Sequence, residues 1–378
     1  MRVVVCSDKW KGSLTAAEAC AAMAAGVRAA HPTATIIQQP LADGGEGSLE
    51  VVRASRALTE HRMEVTGPLR RPVQASYLLG EGIAYIESAR ACGLQHVPKH
   101  RRDPGYTTTI GVGQLIEDAL ARGAERIHLF LGGSATNDGG VGMAAALGYR
   151  FISNKGHDFV PSGDSLSYVA HIDSSGVSTA LNNAVIKVIC DVDNSLLGLD
   201  GATYAYSRQK GASLEQMALL EHHMTDLVET MDRDLSDQIL EIPSPGTFLS
   251  RQAGAGAAGG LGFGAAAFLG GQLVDGFAWL AEEVGLLETL RGADLVLTGE
   301  GKIDGQTLRG KVVAGVGRLA KLVGAPVWGF CGVNELKGGT LPAGVSRAYS
   351  LLEMPGVTED LATRLATELL TERVKMTV

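Results

Sequence analysis

Apolar runs of strand length alternate with segments of helical period at both ends of this chain, and less regularly in the middle. Residues 3–6 form the first run. From about 15 to 30, Ala19, Met23 and Val27 recur at helical spacing, and Thr15 and Glu18 stand three apart as in a capping box. A second run at 34–37 leads through Asp43-Gly44-Gly45-Glu46-Gly47 into another helix. Strand, helix, strand at this spacing predicts a parallel βαβ unit. The segments 61–65, 73–79 and 83–87 are short, β-rich and separated by Gly-Pro or Gly-containing turns, which predicts an antiparallel meander. Helical period returns at 111–121 and 214–235, and strands are expected at 127–131 and 185–190. The C-terminal part resumes the alternation: strand 294–297, helix 312–322, strand 327–331 and a final helix 358–373.

The two ends therefore share a βα character that the middle only partly has. The expected fold is α/β, with a doubly wound parallel sheet formed by both termini (1–66 and 286–378) and a second α+β domain (67–285) inserted. The unit 102–148 is not assignable to either domain by pattern. An active site is expected in the interdomain cleft. Crossings near Gly67-Pro68 and at 280–290 would serve as hinges for closure around the substrates.

Composition narrows the function classes. The chain has 378 residues, of which 50 are glycine, while aromatics make up 5 % and the formal net charge is -8. Without a basic patch a nucleic-acid surface is not expected, so an anionic ligand must be met by local cations and backbone amides. The five cysteines show neither Cys-x-x-Cys pairing nor metal-ligand spacing, and read as buried thiols of a cytoplasmic protein. The start is too weakly apolar for a signal peptide. Residues 252–274 carry no charge until Asp275, but their Ala and Gly content suits a buried helix better than a membrane span.

The chemistry concentrates in loops that follow strands. The richest is Gly132-Gly133-Ser134-Ala135-Thr136-Asn137-Asp138-Gly139-Gly140, between a strand and an Ala-rich helix. Glycines there can turn backbone N–H groups toward an anion, the helix start adds partial positive charge, and Ser134, Thr136 and Asn137 add hydrogen bonds. The alternative is a capping turn. Asp8, Lys11 and Ser13 follow the first strand, Asp43 the second, Asp191 and Asp193 the strand at 185–190, and Glu300 and Gly301 the strand at 294. Two motifs are near misses. Gly305 to Lys311 has Walker A spacing, but Val312 replaces the Ser or Thr that would hold Mg²⁺. Gly254, Gly256 and Gly259 match G-x-G-x-x-G with no strand before them, and only they suggest a dinucleotide-dependent oxidoreductase or binding protein. No G-x-S-x-G elbow is present. Glycines, lysines and carboxylates together suit phosphoryl transfer.

The chain resembles the bacterial glycerate kinases of the first type along nearly its whole length. Asp8-Lys9-Trp10-Lys11-Gly12-Ser13-Leu14 is similar to that family's opening D-S-F-K-G-S-L, and Pro40-Leu41-Ala42-Asp43-Gly44-Gly45-Glu46-Gly47 to its P-x-A-D-G-G-E-G. Arg102-Asp103-Pro104 with Thr107, Thr108 and Thr109, then Gly111-Val112-Gly113, the loop at 132–140, the run at 254–264 and Thr298-Gly299-Glu300-Gly301 continue the match. Departures are Lys9-Trp10 for S-F, Ser195 for the usual Pro, and Ser207-Arg208 before Gln209-Lys210-Gly211. The resemblance implies a flavodoxin-like domain with a second domain inserted, and ATP- and Mg²⁺-dependent phosphorylation of glycerate, usually to 2-phosphoglycerate. A related short hydroxy acid is the alternative substrate. Partners are expected to be small molecules only, with room for a homodimer. On this reading Asp191 is the expected proton acceptor and Lys11 the charge stabiliser. Asp8, Ser13, Asp43, Arg102, Ser134 and Asn137 would bind substrate, and Gly132, Gly133, Gly254, Gly256, Glu300 and Gly301 the nucleotide. The metal ligands are left open.

Overall fold

The computed structural model describes residues 1–235, 244–308, 311–336 and 339–378, and divides into two compact units. Met1–Asp43, Glu50–Ser55 and Gly276–Val378 form the first, and Gly44–Leu49 and Arg56–Asp275 the second.

The first unit is built on β1 (Arg2–Ser7), β2 (Thr35–Gln38) and, from the far end of the chain, β12 (Leu295–Ile303), β13 (Val327–Asn334) and β14 (Val345–Ser350). They pair in parallel in the order β2-β1-β12-β13-β14. Renumbered within this sheet the order is 2-1-3-4-5, the doubly wound arrangement of flavodoxin-like folds. Its first strand is apolar without interruption because both faces are covered. Val3 and Val5 pack with Met23, Val27, Phe330 and Leu370 on one side, and Val4 and Cys6 with Val296, Val312, Val316 and Val327 on the other. The helix Ala16–Ala30 starts at the expected capping box, with Thr15 and Glu18 satisfying each other's backbone N–H groups. Chain winding reverses between β1 and β12, so the carboxyl ends of these two strands flank the switch point where such sheets bind ligands.

The second unit holds a six-stranded sheet in the order β11-β10-β6-β5-β4-β3. Its strands are β3 (Thr59–Thr66), β4 (Pro72–Gly80), β5 (Ile83–Glu87), β6 (Arg126–Phe130), β10 (Val185–Cys190) and β11 (Gln272–Asp275). The meander expected at its start is present as β3-β4-β5, and from β5 onward the pairing is parallel. A small antiparallel sheet of β7 (Arg150–Ser153), β8 (Asp158–Phe159) and β9 (Val169–Asp173) lies apart from it in the pairing.

Several expectations change. The unit limits differ from 66/67 and 285/286, because β3 pairs along its whole length with β4 and so belongs to the second sheet. Gly67-Pro68 is the turn of that hairpin, closed by the Gly67 N–H on the Arg71 carbonyl, and not a crossing. Residues 102–148 fall in the second unit. The strand expected at 294–297 continues to Ile303, since β12 pairs with β1 to Gly299 and with β13 to the end, so Glu300 and Gly301 lie in a strand and not in a loop. The final helix is two, Glu359–Arg364 and Ala366–Thr377. Among the described residues no helix is long and apolar enough to cross a membrane, and all five cysteines are buried thiols. The Walker-like turn includes Arg309 and Gly310, which lie outside the described residues.

Candidate active site

In the first unit the carboxyl ends of β1 and β12 gather acidic side chains in a buried setting. Asp8 follows β1 directly, its N–H held by the Gly299 carbonyl at 2.9 Å and its Oδ1 accepting from the Lys9 N–H at 2.7 Å. Burial, reinforced by the charge of Asp43, pushes the Asp8 carboxyl up to about 7. Burial does the same to Glu300, also to about 7, against the opposing effect of Thr307, whose hydroxyl donates to Oε1 at 2.7 Å. Asp43 is buried and stands between two ammonium groups, Lys9 Nζ and Lys311 Nζ, each 3.9 Å from one of its oxygens. Two protonatable carboxyls, one carboxylate and two cations thus meet at the topological switch point.

The loop after β1 explains which lysine enters. Trp10 and Leu14 exchange backbone hydrogen bonds around Gly12, which has φ +82°, and the Trp10 side chain is buried with its indole N–H on Ser7 Oγ at 3.3 Å. This tight turn leaves Lys11 exposed and Ser13 bonded to its own turn through the Trp10 carbonyl, while Lys9 remains on the Asp43 side. Gly301 gives the turn room, since a Cβ there would stand 3.2 Å from the Lys11 nitrogen.

In the second unit the loop after β6 is cross-linked from beneath. Lys210 is fully buried and donates to Ser134 Oγ at 3.0 Å and to the Thr136 carbonyl at 2.7 Å. Burial lowers its ammonium to about 8. Asn137 bonds Thr203 and Ser207, and Asp138 accepts from the Thr109 N–H and hydroxyl at 2.8 and 2.9 Å and from the Gly140 N–H at 3.1 Å. Ser134, Asn137 and Asp138 are thus buried struts, Asp138 tying the loop to Thr109, while the helix Val141–Ala146 starts at Gly140 without a side-chain cap. Gly133 is the exposed tip and Gly132 is half-buried, so these two alone of the loop's expected ligand contacts face outward.

Asp191 follows β10 and is half-buried; it and Asp193 add to the burial that raises the Tyr206 phenol to about 12. Arg102 is half-buried with Nη1 on the Gln209 carbonyl at 3.2 Å. Gly254 and Gly256 are buried against the Cys190 sulfur and the Ser195 carbonyl, where a Cβ would come within 2.6 and 2.3 Å. Their G-x-G-x-x-G spacing serves backbone packing in this fold, which removes the observation that suggested a dinucleotide.

A sequence model of the glycerate kinase family matches residues 3–378. The chain is 41 % identical to a glycerate kinase of Bacillus cereus over 95 % of its own length and 93 % of the relative's, and 39 % identical to the glycerate 2-kinase of Escherichia coli over 95 % and 93 %. This chain belongs to the glycerate kinase family. Its fold superposes with a TM-score of 0.82 on the crystal structure of a glycerate kinase 2 candidate from Salmonella typhimurium LT2, at 40 % identity, covering 100 % of this chain and 96 % of that one. It is accordingly a kinase with a mixed α/β fold.

The structure brings the expected residues Asp8, Asp43 and Glu300 into one cluster, together with Lys9 and Lys311, which the sequence reading did not single out as site residues. Lys9 and Lys11 are separated only by the turn geometry at Trp10. Lys210 has no local signal of burial beyond the glycine that follows it.

Proposed function

We propose that the chain transfers the γ-phosphoryl group of ATP to the C2 hydroxyl of glycerate, releasing ADP and 2-phosphoglycerate. The observation that carries this reading is the switch-point cluster. Phosphoryl transfer asks for cations around the moving phosphoryl group and a carboxylate for the hydroxyl proton, and Asp8, Asp43, Glu300, Lys9 and Lys311 supply both. Burial holds the Asp8 and Glu300 carboxyls up near 7, and a divalent cation bound beside them would favour their charged forms. Mg²⁺ needs only one or two protein carboxylates beside phosphates and water. Asp8, Asp43 or Glu300 could provide them, and the ion would neutralise charge on the phosphates. Among the described residues no three metal-ligating side chains form a ready cage.

Two carboxylates compete for the proton-accepting role. Asp191 sits at the end of β10 in the second unit, whereas Asp8 in the first has a pKa near working pH, which favours general-base function. Each Asn variant keeps side-chain shape. In the one that matters, kcat should fall roughly 10²-fold with glycerate KM nearly unchanged. A kcat within a few-fold of wild type in both would move the role elsewhere.

Substrate choice is read from ADP release over a panel of three- and four-carbon hydroxy acids. Glycerate should give the highest kcat/KM. A related hydroxy acid far ahead of it would replace glycerate in this reading, and no acceptor-dependent release at all would end it.

A further inference from the structure

Glu87 ends β5 and is buried, yet the chemistry proposed above makes no use of it. Its Oε1 accepts two backbone hydrogen bonds, from the N–H of Gly47 at 3.0 Å and of Leu49 at 3.1 Å. These amides open the helix Ser48–Ser55, whose cap residue Gly47 has φ +95° and offers no side chain of its own. A carboxylate brought in from another strand therefore does what an N-cap side chain would do, and its charge complements the helix start. The carboxylate is itself fixed. Oε2 accepts from Arg90 Nε at 3.1 Å, and Arg90 Nη1 donates to Ser76 Oγ on β4 at 3.0 Å. Ser76, Arg90 and Glu87 thus form a relay from the sheet to the backbone at 47–49.

The segment so held is the Gly-rich turn immediately after Asp43. It also packs closely on the tip of the β6 loop, since a Cβ on Gly132 would stand 3.2 Å from the Gly45 Cα. A shift of the turn therefore moves the surface against Gly132.

We propose that Glu87 is a positioning residue for the phosphoryl transfer. It acts through the backbone of residues 44–49 to hold the Gly-rich turn against Gly132. This rests on the kinase reading above.

The test compares Glu87→Ala, Glu87→Gln and Arg90→Met with the wild-type chain in steady-state kinetics and amide hydrogen exchange. Glu87→Ala should speed exchange at Gly47 and Leu49 at least tenfold while leaving the β6 amides protected, and lower kcat roughly 10- to 100-fold with a smaller change in glycerate KM. Glu87→Gln keeps an oxygen for both amides and should recover most of the lost kcat. Arg90→Met, which removes the donor to Oε2 and the link to Ser76 but leaves the Oε1 bonds, should show the same split more weakly and replaces the Ala variant should that fail to fold. Unchanged exchange at 47–49, or faster exchange with unchanged kcat, overturns the role of Glu87. No glycerate-dependent turnover by the wild-type chain overturns the kinase reading instead, whatever the exchange data show.

Discussion

The Asp8 carboxyl ionises near pH 7 in the fold and near 4 in an unfolded chain. Between those values the folded chain keeps a proton that the unfolded chain has lost. Unfolding free energy contributed by this group therefore falls as pH rises from about 4 to about 7, and Glu300 adds to the same trend. Such strain is expected where charge is kept for a ligand. Asp8→Asn removes the buried charge, so at pH 8 it should stabilise the chain by about 1–3 kcal/mol, read as a higher Tm, with the gain vanishing toward pH 4. A lower Tm at pH 8 would show that the charge is compensated by its neighbours. At this scale the sequence was informative where chemistry follows a strand, as with Asp8 and Asp43. It could not tell Lys9 from Lys11, because the answer depends on hydrogen bonds closing the turn between Trp10 and Leu14. Glu87 looks like any strand-end glutamate in the sequence, since the backbone amides it accepts from lie some forty positions away.

Among the elements, the two glycine-rich segments of the second unit explain each other. The helix Ala257–Leu269 begins with Ala258, Gly259 and Gly260 in left-handed conformation, a run that only glycine adopts readily. At Gly259 a Cβ would stand 1.9 Å from the Thr136 carbonyl oxygen, the same oxygen that accepts from Lys210. Gly264 likewise abuts Gly139 and Gly140. Gly259→Ala should therefore cost about 2–4 kcal/mol and displace the β6 loop, raising substrate KM as well as lowering Tm. Stability within about 0.5 kcal/mol of wild type would contradict this packing. In the sequence the glycines at 132–140 read as a ligand loop and those at 252–274 as part of a buried helix, and the pairing of the two was hidden because φ > 0 and close approach serve anions and backbones equally. Burial distinguishes them, and burial is a tertiary property. The capping box at Thr15, a purely local device, was legible in full.

For the whole molecule, the alternation of apolar runs at both termini was enough to predict one parallel sheet shared by the chain's two ends. The limits of the second unit were not legible, because β3 can be assigned only by its partner, and β4 supplies the full register. The switch point between β1 and β12 is where the fold gathers Asp8, Asp43 and Glu300, in a chain that belongs to the glycerate kinase family. Whether the phosphoryl group goes to the C2 hydroxyl is read most directly by phosphorus NMR of the product formed from ATP, Mg²⁺ and glycerate. The account predicts, beside the resonances of ADP, one phosphate-ester resonance coupled to the single C2 proton. A resonance coupled to the C3 methylene pair, or no new phosphate ester, would contradict it.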